Sequence, residues 1–349
     1  MPETIREMLG NVLHPVTEAE TSGKASKKFT HVTPEFVDKK AAEYSFEEGL
    51  EVVRSRRKLW KEKRFGQEQA TVDLKGVEAP ALLAAIGDIH WGSVYTDNDR
   101  FMRDISLIEQ APNAYILLMS NLIDNAIPKQ FPDGMLSNEI HPEEQVITMR
   151  ALVKRLSEEG KILAAVTSPC HEGWTGKATG QDINRLLFDK MPFPVLDNGG
   201  MLTVDLGDQE YKIGMFHQIG PFNSNFNKSH GVQQMQRLRL QGKADIVAAA
   251  HHHVGEALHT WAGNNLGENN LKDVAYLRTG CYKIDDKWVV GRYGTQGEPG
   301  GQSVMLWPDK RRMLPFLDIE TAADVQKAIY RQEKLNAVGL LGMVDEVLK

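Results

Sequence analysis

The sequence predicts an α/β chain of layered architecture, on two observations. From residue 80, short apolar runs of strand length alternate with stretches of helical periodicity. Beyond about residue 270 the pattern becomes β-rich and closes on a last helix. A third observation points to function: polar and metal-ligating residues gather directly after successive strands.

Before residue 80 the chain reads differently. Residues 1 to about 30 are polar, and a Thr-Ser-Gly-Lys-Ala-Ser-Lys-Lys stretch reads as a linker or arm. Thr33-Pro34 predicts a short helix, with Thr as cap and Pro at the first helical position. Ser45-Phe46-Glu47-Glu48 is a capping box, and Phe46, Leu50, Val53 and Trp60 give the next helix an apolar stripe. That helix runs into the dense basic segment Arg54–Arg64, which is either a solvated face or a contact for a nucleic-acid backbone or another partner.

The alternation then begins. Ala81–Gly87, Ala114–Met119 and Ile162–Thr167 are buried strands, each followed by a helix, through Phe101, Ile105 and Ile108, then Val146, Val153 and Leu156, then Ile183, Leu186 and Leu187. Ile213–His217 and Asp245–Ala250 are further strands, with a helix carrying Val232, Met235 and Leu238 between them. Trailing strands at about 274–280, 287–293 and 303–307 lead to a helix over roughly 320–348. The expected division is a partly helical N-terminal extension over 1–79, a main domain over 80–318, and a C-terminal helix over 319–349.

Composition narrows the function classes. The net charge of −6 argues against a general electrostatic grip on nucleic acid. Two cysteines, Cys170 and Cys281, do not make a disulfide framework and suit a reducing compartment. The N-terminus has no apolar signal region, and the longest apolar runs are far too short to span a bilayer. A soluble cytoplasmic chain with no membrane contact is expected.

The strand ends carry the chemistry. Asp88 and His90 follow the first strand; Asn121, Asp124 and Asn125 follow the second; Cys170, His171 and Glu172 follow the third. His217 ends the fourth, and His251, His252 and His253 follow the fifth. Ligands bind at the carboxyl ends of strands in α/β sheets, so these turns are expected to converge on one metal-binding cleft. One such histidine would ordinarily be a satisfied buried residue; five strand ends in succession are not explained that way.

The order Gly87-Asp88-Ile89-His90, Ser120-Asn121-Leu122-Ile123-Asp124, Pro169-Cys170-His171-Glu172, His217 and Ala250-His251-His252-His253 resembles the calcineurin-like metallophosphoesterase family, over about residues 80–310. Trp91-Gly92 and the Leu122–Asn125 run look most like its bacteriophage-encoded members. The resemblance implies a four-layer α/β/β/α sandwich and a two-metal site for Mn, Fe or Zn. Asp88, His90 and His253 would hold the first ion, and His217 and His251 the second, helped by Cys170, with Asn121 as the bridge. His171 would be catalytic, stabilising charge or protonating the leaving oxygen, and Glu172 would orient it.

Two positions depart from the family pattern. Its bridging Asp is Asn121 here, a neutral amide that should hold two cations poorly. Its metal-binding Asn is Cys170, which is either a thiolate ligand or a small buried hydrophobe. Asp124, three residues beyond Asn121, is a candidate replacement carboxylate, and Ser120 and Ala250 replace family glycines. Candidate substrate contacts are Asn125, Trp174 and His230. For Trp91 and Trp174 core packing is the alternative, and for Asn223, Asn225, Asn227 and His230 a surface turn. Three functions remain open: a phosphodiesterase or phosphatase acting on a nucleotide or nucleic acid, a degenerate fold kept as a structural or virion-associated module, and a phosphate-sensing binding protein.

Overall fold

The computed structural model describes residues 45–62, 65–127, 133–220, 227–263, 271–284, 286, 290 and 298–337. The chain forms two units, Met1–Glu62 and Lys63–Lys349. In the first, helix α1 (Phe46–Glu62) starts as the sequence predicts. The Glu48 backbone N–H donates to Ser45 Oγ at 3.2 Å, and the Ser45 N–H to Glu48 Oε2 at 2.7 Å. Phe46 and Val53 of its apolar stripe are exposed.

The second unit is a mixed α/β structure around one large sheet. Its strands are β1 (Gln67–Leu74), β2 (Ala81–Ile86), β3 (Ala114–Leu118), β4 (Ile162–Val166), β5 (Val195–Leu206) and β6 (Gln209–Phe216). Then come β7 (Ile246–Ala249), β8 (Glu256–Gly263), β9 (Leu271–Arg278), β10 (Gln302–Leu306) and β11 (Met313–Phe316). Hydrogen bonds link them in the order β11-β10-β2-β3-β4-β5-β6-β7-β9-β8, with β1 paired in parallel to β5. Helices α2 (Asn98–Gln110), α3 (Pro142–Glu158), α4 (His171–Thr179), α5 (Ile183–Phe188), α6 (His230–Gln234) and α7 (Ile319–Ala337) complete the unit.

Sheet faces follow the two-residue period of the strands. Leu82, Ala84 and Ile86 of β2 pack with Phe101, Ile105 and Ile108 of α2 and with Val153 and Leu156 of α3. Leu83 and Ala85, pointing the other way, share a cluster with Leu202 and Val204 of β5, Met215 of β6 and Leu277 of β9. Strands far apart along the hydrogen-bonded path therefore enclose one core, which requires the sheet to curl back on itself. Accordingly, β11 at one end lies against β8 and β9 at the other. The outer face of the second half, with Val247, Ala249 and Tyr276, is covered by Val232 and Met235 of α6 and the π-helical turn after it.

Several elements differ from expectation. Strand β1 lies within the residues 1–79 expected as an extension, yet it is hydrogen-bonded into the sheet. His171 and Glu172 begin a helix, α4, in place of a loop. Of the strand expected at 287–293 only Val290 is described, and it is helical, its N–H donating to Asp286 O at 3.0 Å. The helix start at Thr33-Pro34, Asn223 and Asn225, and the last helix beyond Ala337 lie outside the described residues. Among the described residues no helix is long and apolar enough to cross a membrane.

Candidate metal centre

The site is built where β2 and β3 end side by side. A Cβ on Gly87 would lie 2.7 Å from that of Met119, so only glycine permits this approach. The two following turns are then laced together: Asp88 N–H donates to Ser120 O, His90 N–H to Asn121 O, and Trp91 N–H to Leu122 O, each at 3.0 Å. Asp88, His90, Ser120, Asn121, Asn125, His251 and His253 all have positive φ, between 44° and 78°. For residues other than glycine each such position costs of order 1–3 kcal/mol, and strain of this kind collects at functional sites. Ser120, at φ 69°, thus adopts a backbone conformation that favours glycine.

The predicted ligands do converge. Asp88, His90 and His253 form one buried group with ligand atoms within 4.8 Å of one another, and Cys170, His217 and His251 form a second. In the first, His90 Nδ1 lies 3.1 Å from Asp124 Oδ1, so the ring's Nδ1–H donates to the carboxylate and Nε2 keeps its lone pair. This Nε2 faces His253 Nε2 at 3.3 Å and Asp88 Oδ1 at 3.8 Å, and His253 Nε2 stands 3.7 Å from the same oxygen. In the second, His217 Nδ1 donates to Met119 O at 2.7 Å, leaving Nε2 buried without a partner. Cys170 Sγ is 3.7 Å from His251 Nδ1. Asn121 Nδ2 donates to Asp88 Oδ1 at 3.0 Å, while its own Oδ1 is buried and unpartnered.

The electrostatics of these groups suit a cation. Burial pushes the Asp88 carboxyl up to about 8, although the His251 N–H and Asn121 amide pull the other way. Burial also holds His90, His217 and His253 below the ordinary histidine range, and His251 down to about 4, so these rings are neutral and ready as ligands. Burial raises the Cys170 thiol, which disfavours the thiolate in the absence of a cation. Neutral imidazoles, a buried carboxylate and orphaned lone pairs fit a divalent cation.

Asp124, the candidate replacement carboxylate, forms with His90 and His171 a third group whose ligand atoms lie within 4.8 Å of one another, and its Oδ2 is buried without a partner. Its Oδ1 is taken by His90 and by Lys283 Nζ at 2.9 Å, while burial, which would raise it, is outweighed and the carboxyl lies well below its usual range. Lys283, itself 3.0 Å from Asp286, is a site residue that sequence reasoning missed, because no motif surrounds it and it lies 159 positions from its partner. His171 Nδ1 donates to the backbone oxygen of Asp124, and Trp174 stacks on the ring with centroids 4.0 Å apart. Glu172 accepts from Leu122 N–H at 2.6 Å and lies 3.3 Å from Ser120 Oγ, so it ties α4 to the β3 turn. Asn125 donates to His171 O and accepts from Thr175 Oγ1 at 3.1 Å. His230 lies in none of the ligand groups and pairs with Gln234 at 3.3 Å in α6.

No protein-family model and no curated protein sequence matches the chain. Among solved structures it is similar to vacuolar protein sorting 29 from Cryptosporidium parvum, at 16% identity and a TM-score of 0.38 over 69% of this chain and 100% of that one. Zinc-complexed Vps29 from Entamoeba histolytica is similar at 14% identity and a TM-score of 0.32, over 67% of this chain and 98% of that one. A predicted phosphoesterase from Streptococcus pneumoniae is similar at 17% identity and a TM-score of 0.30, over 68% and 98%.

Proposed function

We propose that this chain is a metal-dependent phosphoesterase of the calcineurin-like type, with the curled sheet and its two helical covers as the four layers α/β/β/α. The observation that carries the reading is the facing of His90 Nε2, His253 Nε2 and Asp88 Oδ1, three possible ligand atoms within 3.8 Å of one another that a cation could hold together. Asp88, His90 and His253 hold the firmer ion. His217, His251, Cys170 and the Asn121 oxygen offer a second, weaker place. A bound ion polarises a phosphoryl oxygen and stabilises the charge that develops on it.

His171 acts on the proton. With Nδ1–H committed to the Asp124 carbonyl, Nε2 is the atom that exchanges a proton at the departing oxygen. Glu172, buried and occupied by backbone and Ser120, serves as a positioning residue that fixes the start of α4 under His171. The bacteriophage affinity rests on the Trp91-Gly92 and Leu122–Asn125 runs.

A second reading, a degenerate module without turnover, draws on Asn121. Its amide is spent on Asp88 and it brings no charge to the bridge. One experiment separates the two: hydrolysis of bis(4-nitrophenyl) phosphate by Mn-loaded protein and by His171→Gln. Turnover in the parent, lowered by about 10²–10⁴ in the variant at unchanged metal content, is the expected result. A metal-loaded parent with no turnover on any small ester supports the module instead.

A further inference from the structure

A cleft of about 1190 Å³ opens beside the metal centre, between α3, α5 and the turn after β3. It meets the centre through Asn125 and Thr175, which line it, and Asn125 is the residue whose amide holds the His171 backbone oxygen. Its walls are largely apolar: Ile127, Val146, Ile147, Ile183 and Leu186 all contribute. Two of these are costly to leave in water, with Ile147 at 61% exposure and Leu186 at 39%.

The charges around the cleft do not suit a polyanion. Glu139, Glu143 and Asp189 line it against Arg150 and Arg185. Both arginines are engaged elsewhere. Arg150 donates to the backbone oxygens of Leu186 and, at 3.2 Å, Asp189, and Arg185 lies over the Phe65 ring at 5.5 Å. With three carboxylates against two arginines the lining offers a chain of phosphates no cationic excess. An uncharged flat or branched hydrocarbon group would instead find apolar walls on several sides.

We propose that this cleft is the subsite for the organic part of the substrate, and that it selects a single-phosphate ester of an apolar or aromatic alcohol over a polynucleotide. The inference rests on the phosphoesterase reading. Hydrolysis breaks the P–O bond to that alcohol: the oxygen of water joins phosphorus, and a proton passes to the departing oxygen.

The test uses the full chain with Mn and compares 1-naphthyl phosphate, methyl phosphate and a short single-stranded oligonucleotide. The parent is expected to prefer the naphthyl ester over the methyl ester in kcat/KM. In the double variant Ile147→Glu, Leu186→Glu that preference is expected to fall about ten-fold, the usual size for one apolar group in a pocket. Both positions are exposed, and Leu186→Ser is the milder companion should the double variant fold poorly. Binding of 1-naphthylphosphonate, read by naphthyl fluorescence, needs no turnover and separates the two failures. If no ester is hydrolysed but the phosphonate binds about ten-fold more weakly to the variant, the activity reading fails and the subsite stands. Equal phosphonate binding by parent and variant overturns the subsite, and so does an oligonucleotide hydrolysed in preference to the naphthyl ester.

Discussion

Lys283 stands almost fully buried between two carboxylates, Asp124 at 2.9 Å and Asp286 at 3.0 Å. Burial alone would lower its ammonium, but the two carboxylates outweigh it and hold it above the ordinary lysine range. Removing one partner of a buried pair leaves the other charge uncompensated. Lys283→Met should therefore cost about 3–5 kcal/mol in urea unfolding at pH 7, and an unchanged midpoint would show that His90 alone satisfies Asp124. The histidines give a pH signature of the opposite sign. His251 and His252 are lowered by burial to about 4 and about 3, against about 6.5 unfolded. Below pH 6.5 the unfolded chain takes up protons that the native rings refuse, so stability falls by about 1.4 kcal/mol per pH unit for each ring, down toward pH 4. Asp88 and Glu172, raised by burial to about 8 and about 7, oppose this slope. The lowered rings of His90, His217, His251, His252 and His253 outnumber them, so metal-free protein should lose urea resistance between pH 7 and 5. A midpoint that rises over this range would contradict neutral native rings. At this scale the ligand spacing was legible in the sequence, because each ligand follows a strand directly. Lys283 was not, because its role comes from a contact made by folding.

At the scale of elements, legibility follows the apolar run. β2, β3, β4 and β7, and the second half of β6 from Ile213, are buried along most or all of their length and read as continuous hydrophobic stretches. β5 hides because Asn198-Gly199-Gly200 interrupts it with a turn signature, Asn198 and Gly199 having φ 55° and 100°. β1 hides because its mixture of polar and small residues faces solvent on one side. β8 and β11 also escape the sequence reading, but the omissions of β1 and β5 are coupled. β1 can approach β5 only because Gly200 has no side chain: a Cβ there would lie 2.2 Å from Glu68 O. That neighbour is backbone and has no rotamer to move, so Gly200→Ala should push β1 away from β5. Amide hydrogen exchange across Thr71–Leu74 is expected to quicken about ten-fold or more, equivalent to about 1.4 kcal/mol of local stability, with β2 and β3 unaffected. Unchanged protection in those amides would show that the strand pair absorbs the methyl.

For the molecule as a whole, the curl of the sheet is what makes a site from distant sequence. Asp88 and His253 are 165 positions apart by number, yet their side chains come within 3.7 Å because β2 and β7 belong to opposite halves of one folded sheet. The sequence announced the five strand ends but not the continuous hydrogen-bonded path, since pairing order leaves no local mark. The central claim is that these ends hold a cation, unequally shared between two places. Mn stoichiometry by equilibrium dialysis, on the parent, on Asp88→Asn and on Asn121→Asp, tests it most directly. The account predicts one firmly held ion in the parent and loss of that ion in Asp88→Asn. It predicts a gain toward two ions in Asn121→Asp, because a unit charge about 4 Å from a cation is worth on the order of 4 kcal/mol before desolvation. A parent that binds no ion, or that keeps its ion when Asp88 is neutralised, would contradict it.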